Sequence, residues 1–173
     1  MAARAKASLL PGAFLLAACL APDMAAAEPR TLRLGDMELA YDGERWRAEP
    51  DGDRAVTMRP AGAIERKLDP ITLTWAPAEG IEGCRTLAAR AFSDLYEQPE
   101  AGPIEIAGTP GIRLAAHTRC RNATPTGVVA CVPYRGSVYL LTATQTSCRS
   151  PGFNLFSGID PLRELLDGMR FLP

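Results

Sequence analysis

Apolar and polar residues alternate along much of this chain, with the period of two that is typical of strands with one buried face. The segment 71–75 is the clearest example, because Ile71, Leu73 and Trp75 alternate with two threonines. Similar segments, bounded by turn-forming residues, predict seven further strands. They are 37–41, 45–49, 54–59, 104–107, 112–120, 128–134 and 138–146.

Turn-forming residues separate these strands. The Asp-Gly pair at 42–43 predicts a two-residue hairpin that joins 37–41 to 45–49. The Arg-Gly pair at 135–136 predicts a second hairpin, which joins 128–134 to 138–146. Further turns are expected at 51–53 and 108–111, and loops at 60–70 and 122–127.

The period changes to that of a helix in two places. Between residues 86 and 97, Leu87, Ala91 and Leu95 recur every four residues and predict an amphipathic helix. A second helix is predicted over 161–170, with an apolar stripe of Leu162, Leu165, Leu166 and Met169. Strands in hairpins with helices set apart predict an α+β fold, in which helices cover an antiparallel sheet as an α/β/α sandwich.

The first 27 residues have the organisation of an export signal. Arg4 and Lys6 precede an apolar stretch over 8–21, and three alanines at 25–27 suit a signal peptidase. We expect 1–27 to be a signal peptide and 28–173 to be a single periplasmic domain. The alternative is lipoprotein processing at Leu-Ala-Ala-Cys over 16–19, which would make Cys19 the lipid-bearing residue and tether the protein to a membrane.

Removal of Cys19 with the signal leaves an even number of cysteines, which in an exported chain predicts two disulfides. These cysteines are Cys84, Cys120, Cys131 and Cys148. Three pairings are open. We favour Cys120–Cys131, which would flank a predicted turn, together with Cys84–Cys148.

Four segments have characteristic patterns of packing and turn residues. They are YDGERWRAEP at 41–50, GTPGIRLAAHTRC at 108–120, VPYRGSVYLLTAT at 132–144 and LRELLDGMRFLP at 162–173. These segments resemble the PsbP-like and DcrB-like superfamily of exported α/β proteins. The resemblance covers nearly the whole chain after the signal. It implies an accessory or binding role without a shared set of catalytic residues, and the four cysteines are not a general feature of the family.

Charged residues are distributed unevenly along the chain. Acids cluster early, whereas the stretch between Glu105 and Asp160 has none and contains five arginines. Strand alternation directs Ile112, Leu114, Ala116 and Thr118 inward and places Arg113, His117 and Arg119 on the opposite side. These three residues, with Arg121 and with Tyr139 on a neighbouring strand, are the candidate binding residues for an anionic ligand or a partner protein. Alternatively, the early acids neutralise these arginines within the fold.

The residues indicate no catalytic, metal or cofactor site. His117 is the only histidine, CxxC spacing is absent, and the formal net charge of −1 does not favour a nucleic-acid partner. We therefore expect a non-enzymatic periplasmic accessory protein that docks to an envelope protein or redox complex, with membrane contact only if Cys19 is lipidated. The alternative is a small inhibitor of a hydrolase, or a protein that binds an apolar small molecule.

Overall fold

Ten strands and two α-helices form the described part of the chain. The computed structural model describes residues 29–65, 68–120, 126–145, 147–148 and 161–173. The strands are β1 (Arg30–Leu34), β2 (Met37–Tyr41), β3 (Trp46–Asp51), β4 (Ala55–Pro60), β5 (Ile71–Pro77), β6 (Glu100–Ile106), β7 (Thr109–His117), β8 (Thr126–Tyr134), β9 (Ser137–Ala143) and β10 (Met169–Phe171). The helices are α1 (Gly80–Arg90) and α2 (Pro161–Asp167), with a 3-10 turn at Gly62–Ile64.

The strands form two antiparallel sheets. The larger sheet has seven strands in the order β3-β4-β5-β9-β8-β7-β6, and the smaller has three in the order β1-β2-β10. Hairpins join β3 to β4, β6 to β7 and β8 to β9, as alternating sequences with short turns dictate. The predicted α+β class with an antiparallel sheet is confirmed.

Both faces of the central strands are buried. On one face, Cys84 and Ala88 of α1 pack against alternate residues of β7, β8 and β9, namely Ile112, Leu114, Val129, Cys131, Val138 and Leu140. On the other face, Leu165 of α2 and Met37 and Leu39 of the small sheet share a core with residues of the large sheet, namely Trp46, Met58, Ile71, Leu73, Ala130, Val132 and Leu141. A helix thus lies on each face, and the small sheet also covers the second.

The Asp42-Gly43 turn does not form the predicted hairpin. β2 pairs with β1 and β10, whereas β3 pairs with β4, so this turn carries the chain from one sheet to the other. Asp42 organises the turn locally, because its carbonyl oxygen accepts a hydrogen bond from the Trp46 amide at 2.9 Å. Its carboxylate also accepts one from the Glu44 amide at 2.8 Å. The turn is present where the sequence predicts it, but the strands on either side of it pair with other strands and belong to different sheets.

The first helix is displaced from its predicted position at 86–97. α1 ends at Arg90, and the following segment runs beside the end of β7. Tyr96 forms a bridge with Thr118, and the Arg119 amide donates to the Leu95 carbonyl at 2.7 Å. Backbone pairing with a distant strand therefore replaces the helical continuation that the apolar period predicts.

The final helix is also shorter than the predicted 161–170. It ends at Asp167, and the chain turns at Gly168 into β10, which pairs with β2. The Gly168 carbonyl accepts a hydrogen bond from the Ala40 amide at 2.9 Å. A Cβ atom on Gly168 would overlap the Ala40 carbonyl oxygen, so the turn needs glycine for this close approach.

The two disulfides join Cys84 to Cys131 and Cys120 to Cys148. The predicted pairing was therefore wrong. Cys131 opposes Ile112 across the β7–β8 ladder. Cys120 comes eight residues after Ile112, about 26 Å in extended chain and far beyond disulfide reach. Cys131 instead faces α1, because it shares strand parity with Val129, and it meets Cys84 in the core.

Tryptic mapping without reduction distinguishes these pairings, because each of the four cysteines falls in a different peptide. We expect peptide 68–85 to be linked to 122–135, and 120–121 to 136–149. Mass spectrometry that links 68–85 to 136–149 instead would contradict the observed topology.

Gly168→Ala tests the close contact between the α2–β10 turn and β2. Because the added methyl group must displace the Ala40 carbonyl, we expect the free energy of unfolding to fall by about 1–3 kcal/mol. Gly102→Ala is the matched control, since no atom lies within 4 Å of its added Cβ. Equal urea midpoints for the two variants would show that the Gly168 contact is unimportant.

Candidate functional site

The side of β7 that faces away from α1 carries two of the predicted binding residues. Ile112, Leu114 and Ala116 are buried, whereas Arg113 and His117 are exposed on the opposite side, as strand alternation predicts. Their Cα atoms are separated by about 13 Å, the length of four residues of strand. The two side chains therefore form a row and not a single compact site.

Arg119 extends this row beyond the strand. Its side chain is exposed. Its backbone amide is held by the Leu95 carbonyl, so the main chain at this position is fixed. We call Arg113, His117 and Arg119 the arginine row. Arg121, the fourth predicted basic residue, lies outside the described residues, as do Cys19 and the rest of the predicted export signal.

Arg113 borders a cavity of about 260 Å³ between β6, β7 and α2. Acidic side chains also line this cavity, so its charge is mixed. Asp167 forms an ion pair with Arg163 at 3.6 Å, whereas Arg113 has no ion pair with any described residue. The lining residues are Ile104, Glu105, Arg113, Leu162, Arg163, Leu166 and Asp167.

Tyr139 does not belong to the arginine row. It lies on β9, two strands from β7, and only 5% of its surface is exposed. Its hydroxyl accepts a hydrogen bond from the Asp36 amide at 2.9 Å. Burial raises the pKa of this hydroxyl, although the hydrogen bond from Asp36 acts in the opposite direction. Tyr139 therefore joins the β1–β2 turn to the large sheet, and its prediction as a surface binding residue was wrong. β9 is buried on both faces, so sequence alternation could not reveal this.

The early acids form no ion pair with Arg113 or Arg119 in the described part of the chain. Glu38 pairs with Arg170 of β10, and Glu49 pairs with Arg59 across the β3–β4 hairpin. These contacts are local to the small sheet and to the far edge of the large one. Arg113 and Arg119 thus keep their charge available on the surface.

A groove of about 410 Å³ runs between α1 and the large sheet. α1 covers β7, β8 and β9 but leaves β5 partly open, and the groove follows that boundary. Sequence analysis did not find it, because it arises from the position of α1 across the sheet. Its walls combine threonines with aliphatic groups and one arginine, and its lining residues are Thr72, Thr74, Trp75, Ala76, Leu87, Arg90, Ala91, Leu140 and Thr142.

Tyr96 closes the end of the α1 face. Its ring packs over Gly127, where a side chain would collide with it, and its hydroxyl accepts a hydrogen bond from the Gln145 amide. Burial raises the pKa of the Tyr96 hydroxyl. Tyr96 and Tyr139 thus both serve as buried hydrogen-bond acceptors that fix loops to the sheet.

The described residues contain no group of three or more His, Cys, Asp and Glu side chains placed to hold a metal ion. None of the helices within those residues is both long and apolar enough to cross a bilayer.

The chain is similar to a known protein in structure but not in sequence. No protein-family model matches the chain, and no curated protein matches it in sequence. Among solved structures, it is similar to cyanobacterial PsbP (CyanoP) from Synechocystis sp. PCC 6803, with a TM-score of 0.57 and 11% sequence identity. The match covers 87% of this chain and 96% of that one. The resemblance that the sequence motifs indicated is confirmed at the level of architecture: the chain has a PsbP-like fold.

Proposed function

We propose that this protein is a non-enzymatic accessory or binding protein of the periplasm, which docks to an envelope protein or redox complex. The observation that carries the proposal is the PsbP-like fold over most of the chain. The family resemblance implies an accessory role. The predicted export signal over 1–27 supports the location, and so do the two disulfides, because such bonds persist in oxidising compartments.

The arginine row is the proposed docking surface. Arg113 and Arg119 are exposed and form no ion pair with a described residue, so a partner would not have to displace an internal acid. Arginine also donates two parallel hydrogen bonds to a carboxylate, which favours an anionic partner surface.

The groove beside α1 supports a second candidate, a protein that binds a small molecule. Its volume of about 410 Å³ lies within the range of ordinary ligand sites. Aliphatic side chains on one wall and threonine hydroxyls on the other would suit a mostly apolar ligand with a few polar groups.

Charge reversal of the arginine row tests the docking proposal. With Arg113→Glu and Arg119→Glu combined, we expect cross-linking of the purified protein to its envelope partner to fall at least about tenfold, since each contact changes from attraction to repulsion. The melting temperature should stay nearly constant, because both residues are exposed. Arg47→Glu with Arg85→Glu gives the same charge change on other exposed surfaces and should cross-link normally. Equal cross-linking by all three proteins would exclude the arginine row.

Native mass spectrometry tests the second candidate. If the groove holds a small molecule, the gently purified protein should carry added mass that Thr142→Trp abolishes by filling the groove. A wild-type protein of unliganded mass, extracted from its own compartment, would contradict this candidate.

A further inference from the structure

Two arginines lie over aromatic rings at the end of the large sheet where the β8–β9 hairpin turns. The Cζ atom of Arg54 lies 5.3 Å from the centroid of the Trp75 ring. The Cζ atom of Arg135 lies 5.3 Å from the centroid of the Tyr134 ring. Both arginines are exposed, and both rings are partly buried. We call these four residues the aromatic-arginine patch.

The two arginine–ring pairs lie on one face of the sheet. Trp75 opposes Tyr139, and Tyr139 opposes Val132, which is two residues before Tyr134. Side chains two residues apart on a strand share a face. Trp75 and Tyr134 lie two strands apart and are offset by two residues along the strand direction. Their Cα atoms are therefore about 12 Å apart. The sheet thus holds the two rings, each with an arginine over it, at a defined separation.

Internal hydrogen bonds and ring contacts hold both aromatic rings in place. The Trp75 indole N–H donates to the Asp53 carbonyl at 2.9 Å. The Tyr134 hydroxyl donates to the Leu172 carbonyl at 2.8 Å, and the Tyr134 ring stacks on Phe171 with centroids 4.5 Å apart. A rigid ring restricts the arginine that lies over it, so less side-chain entropy is lost when a partner binds.

Arg135 occupies a position that usually favours glycine or asparagine. It lies in the two-residue β8–β9 turn with φ of 49°, in the left-handed region. A residue with a Cβ atom is strained in this conformation. The turn itself does not require arginine at this position. The arginine that is present places a cation over Tyr134.

We propose that the aromatic-arginine patch is a docking surface for a partner protein that presents two carboxylates. Each guanidinium lies over a ring, and neither forms an ion pair with any described residue. The N–H edges of a guanidinium match carboxylates in bidentate geometry. Tryptophan, tyrosine and arginine are also the residues that contribute most to protein interfaces. The inference rests on the proposed accessory function and assigns it a second contact surface, apart from the arginine row.

A protein partner fits this surface better than an anionic membrane does. Asp36 and Asp53 lie at the same end of the molecule, since Asp36 bonds to Tyr139 and Asp53 to Trp75. A uniformly anionic lipid surface would repel their carboxylates. A protein surface can place carboxylates opposite the arginines and donors opposite the aspartates.

The probe is a fluorescein-labelled helical peptide with glutamates at positions i and i+8, which lie about 12 Å apart along a helix. We expect a saturable rise in its anisotropy on addition of the protein. A matched peptide with glutamine at both positions should not bind. In ¹⁵N spectra the Trp75 indole signal should move, whereas that of the fully buried Trp46 should stay in place.

Two double variants test whether the peptide binds at the aromatic-arginine patch. Arg54→Gln with Arg135→Gln should weaken peptide binding at least about tenfold, the equivalent of about 1.4 kcal/mol. Arg47→Gln with Arg85→Gln, which removes the same charge from exposed positions outside both proposed surfaces, should bind normally. Unchanged melting temperatures show that both variants remain folded.

Three results would overturn the inference. They are the absence of saturable binding, equal binding of the glutamine peptide, and binding that Arg54→Gln with Arg135→Gln does not change. Binding to phosphatidylglycerol vesicles but not to the peptide would reassign the patch to lipid.

The same experiments separate this inference from the proposed function. If the peptide does not bind but charge reversal of the arginine row abolishes cross-linking, the proposed function stands without this patch. If the peptide binds but no envelope partner is cross-linked, the accessory function is contradicted, whereas the binding of carboxylates by the aromatic-arginine patch stands.

Discussion

The central constraint on this structure is that β8 and β9 must be buried on both faces. Val138 and Leu140 of β9 lie in the core beneath α1, while Tyr139 and Leu141 lie in the core on the other side of the sheet. A strand with apolar residues on both faces is stable only if each face is covered. The Cys84–Cys131 disulfide fixes α1 on one face. The other face depends on a composite cover, in which α2 and the small sheet each supply only part of the apolar surface.

Local patterns predicted most of the large sheet, because its hairpins pair segments that are close in sequence. The β8–β9 turn and the inward side of β7 follow directly from turn residues and alternation. The small sheet could not be predicted in the same way, since β10 pairs with a strand more than a hundred residues earlier. The disulfides depend on the same long-range topology, and so does the burial of Tyr139.

The candidate surfaces were only partly accessible to sequence reasoning. Alternation identified Arg113 and His117 as outward-facing, because β7 is close to the edge and has one polar side. It could not identify the pairing of Arg54 with Trp75, because that contact joins a turn to a strand outside its own hairpin. Arg135 follows Tyr134 directly, but only the left-handed turn conformation places its guanidinium over the preceding ring. The distribution of charge along the chain thus indicates which residues could form a binding surface. The topology of the sheets decides which of them lie next to one another.

The pairing of β10 with β2 has a consequence for the order in which the fold is completed. β10 follows every other strand in the chain, yet it supplies the second neighbour of β2 and places Phe171 against Tyr134 and Tyr139. During synthesis from the N-terminus, the cover over one face of the sheet therefore stays incomplete until β10 has been made. Until β10 pairs with β2, the apolar side chains that it helps to cover stay exposed to water, so this face of the core closes only after the chain has been synthesised beyond β10.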